Sequence, residues 1–228
     1  RELMQLVTTA DMSNEAFPFR AAREIDIGFA RVLCIRITYL GELGYELYIP
    51  TEQAMHVYDR LVEAGARVGL VHAGLKTLAS CRMEKAYRDY GHDIDNTDTI
   101  LEAGLGFAAD LKKPGGFLGK EAVLAQKAAG PLKKRLVQIL LKDPDAVLFH
   151  AEPVLRDGRA VGYIRAASYG HTLGGAVGLA MIADPDGAPI DAKWIEAGRW
   201  EVEIANTRYP AIASLRPLYD AENKRVKM

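Results

Sequence analysis

Between Gly130 and Arg135 the chain changes period, and that change limits what it can fold into. Upstream, strand-like and helix-like segments alternate. "ARVLCIRITY" (30–39) and "GYELYIP" (44–50) are β-rich, with Leu33, Ile35, Ile37 and Tyr39 alternating against Cys34, Arg36 and Thr38. "TEQAMHVYDRLVEAG" (51–65) carries Ala54, Tyr58, Leu61 and Val62 at helical spacing and stops at Gly65. "HAGLKTLASCRMEKAYRDYG" (72–91) predicts a second helix with Leu75, Leu78, Ala79, Met83 and Ala86 on one stripe, and Arg82 falls within that stripe. "PGGFLGKEAVLAQKAAG" (114–130) turns through glycines into a third helix. Beyond residue 135, short strands such as "RLVQILL" and "AVGLAMI" follow one another with turn residues about every 8–12 positions, among them Asp157-Gly158 and Asp186-Gly187. This pattern predicts an α+β unit over 1–130 and a small antiparallel barrel or sandwich over 131–228, with few contacts between the β unit and the helices before it.

Charge excludes several partners. The 29 basic and 30 acidic residues nearly cancel and form no long run of one sign, so no footprint for nucleic acid or an anionic membrane is present. A charged ligand must therefore be recognised locally. No segment reaches 18 consecutive apolar residues. The two cysteines, Cys34 and Cys81, sit in apolar segments without C-x-x-C or His/Cys metal spacing, as buried thiols of a reducing compartment do. No metal is expected. The start at Arg1 has neither a signal-peptide stretch nor an initiator methionine, and the expectation is an internal or C-terminal piece of a longer cytoplasmic chain.

The stretch "ITYLGELGYELYIP" (37–50) raises the functional question. Gly41 and Gly44 permit a tight turn and leave open space beside it, and Glu46 follows two residues later. An ionised carboxylate in such a space suits a flat ligand with adjacent N–H donors, because two charge-assisted hydrogen bonds fix both position and orientation. The other reading is a plain hairpin with Glu46 on its solvated face and Tyr39 and Tyr45 as half-buried strand tyrosines. Arg82 either snorkels at a helix edge or pairs with a buried acid, near Glu84 or Glu46 itself.

Several separated motifs, "RITYLGELGYELYIP", "SCRMEKAYRDYGHDI", "LEAGLGFAADLKKPGGFLGKEAV" and "GYIRAASYGHTLG", resemble the folate-binding aminomethyltransferase (glycine cleavage T-protein) family. The E-K of "RMEKAYRDYG", "YGHTLGGAVGLAMI" and "EVEIANTRYPAIASLRPLYD" are most similar to the C-terminal folate part of sarcosine and dimethylglycine dehydrogenases. The match covers about residues 20 to 225. It implies a partial T-protein-like cloverleaf, a mixed sheet with helices, followed by a small antiparallel β-barrel. It also implies a tetrahydrofolate site in which Glu46 holds the pterin ring and Tyr39 lines the pocket; Arg82, from its place on the helix stripe, is the third cofactor-binding candidate.

The resemblance further implies a division of labour. A flavin domain upstream or in another chain would oxidise an N-methyl amine, and this module would let tetrahydrofolate capture the carbon as 5,10-methylenetetrahydrofolate, mainly by proximity and orientation. No catalytic side chain is assigned; His72, His92 and His171 read as structural or surface residues. FAD is not expected on this chain, because "GHTLGGAVG" (170–178) lacks the spacing of a dinucleotide fingerprint. Two departures stand out: Leu78 occupies a position where the family usually has arginine, and the aspartate that the family's folate site takes from its N-terminal half has no counterpart after Arg1. The rival readings are a free-standing aminomethyltransferase or demethylase subunit and a non-catalytic folate-binding module.

Overall fold

Residues 22–35 form a hairpin whose inward side chains come from both strands. The computed structural model describes residues 1–228 and divides them into two compact units, 1–81 with 222–228, and 82–221. In the first unit, α1 (Glu2–Val7) precedes β1 (Ala22–Ile27), β2 (Ala30–Ile35) and β3 (Glu46–Tyr48), which pair antiparallel in that order. A short 3-10 turn at Thr51–Gln53 leads into α2 (Ala54–Gly65), followed by α3 (Leu75–Glu84), whose last three residues belong to the second unit.

The buried face of β2 is Ala30, Val32 and Cys34, joined by Ile25 and Ile27 of β1 and Val57 of α2. Leu33, on the more continuously apolar side, is exposed, and Arg36 just beyond the strand is buried. The face follows from what covers it: Phe17, Met12 and Val57 pack on the side of Cys34. Burial pushes the Cys34 thiol up to about 11, so it is a packing group and not a nucleophile. Both strands are shorter than the alternation predicts. The ladder stops at the Ile35–Glu46 pair, because the Thr38 hydroxyl accepts hydrogen bonds from the amides of Leu40 (3.0 Å) and Gly41 (3.2 Å), with Gly41 in the left-handed region. The segment 36–45 is therefore a shaped loop rather than a tight turn. Residues 222–228 return to this unit, where Arg225 Nε meets Glu42 Oε2 of the loop at 3.1 Å.

In the second unit, α4 (Lys120–Ala128) precedes a closed antiparallel barrel of β4 (Lys134–Leu141), β5 (Pro153–Arg156), β6 (Arg159–Gly170), β7 (Gly175–Ala183), β8 (Trp200–Ile204) and β9 (Thr207–Ser214) in the order β4-β7-β6-β5-β8-β9. Pairing of β4 with β9 closes the ring, and its interior is aliphatic around Ile139, Ile164, Ile182 and Val202. Asp157-Gly158, both at positive φ, turns β5 into β6 as the sequence predicts, whereas Asp186-Gly187 leads instead toward α5 (Ala192–Ala197). With six residues, α5 is the one α-helix among the strands.

The β unit is not isolated from what precedes it. Met83 and Ala86 pack with Leu136, Val177, Leu179 and Met181. Gln138 donates to the carbonyls of Met83 (2.7 Å) and Glu84 (3.0 Å), and buried Glu84 accepts the amides of Thr172 (2.7 Å) and Leu173 (2.9 Å). The E of "RMEK" thus holds the "HTLG" turn. Compactness divides the chain at Cys81–Arg82, a different place from the change of period at Gly130-Pro131.

One glycine shows how closely the barrel strands approach. Gly162 pairs with Val154 on one side and Ile182 on the other, and a Cβ there would collide with the Met181 carbonyl oxygen and lie 3.1 Å from the Ile182 Cα. Both obstacles are backbone. Gly162→Ala in the full-length protein should cost about 3 kcal/mol, the upper end of overpacking costs, read as a lower urea midpoint at unchanged slope. An unchanged midpoint would mean that the strands yield at this position.

Candidate functional site

The loop that interrupts the β2–β3 ladder forms one wall of a cavity of about 490 Å³. Tyr39, Gly44, Tyr45 and Glu46 line it from the loop and β3, and Leu75 and Leu78 line it from α3. Two of the expected ligand residues, Tyr39 and Glu46, therefore share one cavity. The apolar stripe predicted for α3 is divided: Leu75, 81% exposed, and Leu78 face the cavity, whereas Met83 and Ala86 pack against the barrel.

Glu46 is the one charged side chain in the lining. It is half-buried and accepts a hydrogen bond on Oε2 from the Tyr48 hydroxyl at 2.9 Å, while no protein donor engages Oε1. That hydrogen bond, with the negative charge of Glu46 behind it, raises the Tyr48 phenol above its ordinary value, as expected beside an ionised carboxylate. Tyr48 was missed by sequence reasoning. Its signal was the period of two, which puts residues 46 and 48 on one face of a strand.

Tyr45 points to the opposite face and joins the core, its ring edge-on to Phe17 with centroids 5.9 Å apart. Its hydroxyl is buried with no protein partner. Leu78 lines the wall from α3, and no lysine or arginine is among the lining residues. A lone carboxylate among apolar walls favours a flat ligand rich in N–H donors and disfavours an anion. Such an acceptor pair would suit the ring N–H and amino group at the pterin end of a folate.

Arg82 is not among the lining residues. It is 6% exposed, and its Nη1 bonds to buried Asp93 and to the Tyr87 carbonyl oxygen at 3.0 Å. Its partner is thus neither Glu46 nor a residue near Glu84. Asp93 returns to the arginine through the left-handed turn at Gly91, fixed by bonds from Gly91 N to Ile94 O and from Asp93 N to Asp89 O. Burial pushes the Asp93 carboxyl up, and Arg82 together with the Asp89 amide draws it back. His92 and His171 are exposed, and His72 is exposed and stacks on Tyr58. No group of side chains is arranged to hold a metal ion, and no helix is long and apolar enough to cross a membrane.

Two family models match the chain, the GCVT N-terminal domain over residues 1–113 and the glycine cleavage T-protein C-terminal barrel domain over residues 134–220. The chain belongs to the glycine cleavage T-protein family. Among curated relatives, human mitochondrial sarcosine dehydrogenase is 38% identical over 227 residues, covering 100% of this chain and 24% of that protein. The 4-methylaminobutanoate oxidase (formaldehyde-forming) of Paenarthrobacter nicotinovorans is 41% identical over 227 residues, covering 100% of this chain and 26% of that protein. This T-protein-type chain thus spans about a quarter of the length of these curated relatives. The crystal structure of the glycine cleavage system aminomethyltransferase T from Bartonella henselae superposes with a TM-score of 0.71 at 21% identity, over 89% of this chain and 53% of that one. That likeness establishes the fold, α+β with a closed barrel.

Proposed function

We propose that the chain is the tetrahydrofolate-dependent one-carbon module of an N-demethylating flavoenzyme of the sarcosine or dimethylglycine dehydrogenase type. The observation that carries this reading is the cavity beside the Gly41–Gly44 loop, with Glu46 as its one charge and Tyr39 in the same wall. Glu46 would accept two hydrogen bonds from the ring N–H and amino group of the pterin, and Tyr39 would flank it. When bound, tetrahydrofolate would supply the two nitrogens that take up the one-carbon unit, giving 5,10-methylenetetrahydrofolate as the demethylated amine leaves. The protein's own part is to bind, orient and keep water from the reacting carbon. We assign Arg82 to the exit of α3 and not to the ligand. The flavin belongs to another domain or chain, and the N-methyl amine is oxidised there. We place the chain in a reducing compartment such as the cytoplasm, with which two free cysteines agree.

The test is a carbon balance. The full-length protein is turned over separately with sarcosine, dimethylglycine and 4-methylaminobutanoate, with and without tetrahydrofolate, and formaldehyde and 5,10-methylenetetrahydrofolate are both measured. With the amine that reduces the flavin, tetrahydrofolate should divert most of the carbon from formaldehyde to the folate product. Formaldehyde release unaffected by tetrahydrofolate would overturn the reading.

A further inference from the structure

The buried face of β2 ends in a charge. Arg36 is 1% exposed, donating from Nη1 to the Phe17 carbonyl oxygen (2.7 Å) and from Nη2 to the terminal main-chain oxygen of Met228 (2.9 Å). Its Nε is buried with no partner, and no acidic side chain is bonded to it. A guanidinium cannot shed its proton inside a protein, and here one of its N–H groups is buried and unmet.

What surrounds Arg36 adds to the imbalance. It lines a cavity of about 510 Å³ together with Arg20, Lys227, Asn14 and Asn223, and no carboxylate lines that cavity. Arg20 is held beside Arg36 by the backbone: Arg20 N donates to Arg36 O (2.8 Å) and Arg36 N to Ala21 O (2.9 Å). Arg20 adopts φ 74°, a left-handed conformation that a residue with a Cβ takes only when its surroundings demand it. Its guanidinium lies 5.5 Å from the Phe19 ring centroid, and Phe19 lines the same cavity. The chain carries a net charge of −1, so this concentration of positive charge is a local feature. None of these residues lines the Glu46 cavity.

We propose that this second cavity binds a small dianion, a phosphoryl or dicarboxylate group, through Arg20, Arg36 and Lys227. The buried Arg36 supplies a fixed fork of donors, the two exposed cations at the mouth supply attraction, and Asn14 and Asn223 provide neutral polar contacts. Phe19 and Pro18 offer an apolar wall for the body of a small molecule. The site is independent of the folate reading.

The experiment titrates the full-length protein with inorganic phosphate and, separately, with succinate, at low ionic strength and again with added sodium chloride. Saturable, salt-sensitive binding of one anion per chain is expected. Preference for phosphate identifies a phosphoryl ligand, and preference for succinate a carboxylate one. Arg20→Ala and Lys227→Ala together should weaken that binding at least tenfold and leave the melting temperature without anion unchanged, since both side chains are exposed. Arg36→Met should abolish binding; should it not fold, the exposed pair still decides. Absence of saturable binding of either anion to the wild type, or equal binding by the double variant, would overturn the proposal.

Discussion

Arg82→Ala should destabilise the full-length protein by about 3–5 kcal/mol at pH 7, because it leaves Asp93 buried and unpaired. The Asp93 side chain is completely buried and its Oδ1 has no partner, and the other cation that feels its charge, Arg88, is held by the carbonyls of Ala86 and Ala103. Asp93 Oδ2 would keep only the Asp89 amide, at 2.7 Å. The effect has a pH signature with a definite sign. Burial already raises the Asp93 carboxyl above its ordinary value, and removing Arg82 removes the cation that draws it back. A carboxyl whose folded pKa lies above its unfolded value, about 3.9, stabilises the fold below that value and loses this contribution as pH rises through the folded pKa. The deficit of the variant relative to wild type should therefore be small near pH 4 and grow toward pH 7. Urea unfolding of both proteins across that range measures it. Arg82→Met with Asp93→Leu should recover most of the loss, since an apolar pair leaves no charge unmet. An equal deficit at pH 4 and pH 7 would assign Arg82 a packing role alone.

The barrel and α2 were legible because each repeats a local rule many times. Asp157-Gly158 can turn β5 into β6 in only a few ways, and a stop at Gly65 agrees with the spacing of Tyr58 and Leu61 before it. Tyr39 and Glu46 could be placed in one cavity because the glycines between them mark an irregular loop.

What failed depended on contacts distant in sequence. Alternation in 30–39 presents two plausible faces, and only the packing of Phe17 and Val57 chooses the side of Cys34 and Arg36 over that of Leu33. β1 went unrecognised, since "AREIDI" shows only Ile25 and Ile27 as alternating apolar residues and needs β2 beside it to form a ladder. Asp93 could not be assigned to Arg82 from spacing, because the intervening turn at Gly91 sets the approach and not helical periodicity. The packing of Met83 on Leu136 and Val177 likewise has no signature in either segment alone.

Glu46→Gln in the full-length protein tests the central claim most directly. The amide keeps the shape of the side chain and an oxygen for the Tyr48 hydroxyl, now 2.9 Å from Oε2, but puts an N–H₂ donor where a second acceptor stood. Two donors would then face each other across the bound pterin. Losing a charge-assisted bond and leaving a polar group unmet should cost about 2–4 kcal/mol of tetrahydrofolate affinity, roughly 30- to 700-fold. The measurement is paired: tetrahydrofolate affinity, and the rate of flavin reduction by the N-methyl amine, in wild type and variant. Weakened folate binding with flavin reduction unchanged is the predicted result. Equal folate affinity in the two proteins would return Glu46 to a solvated strand face and contradict the assignment of this cavity to folate.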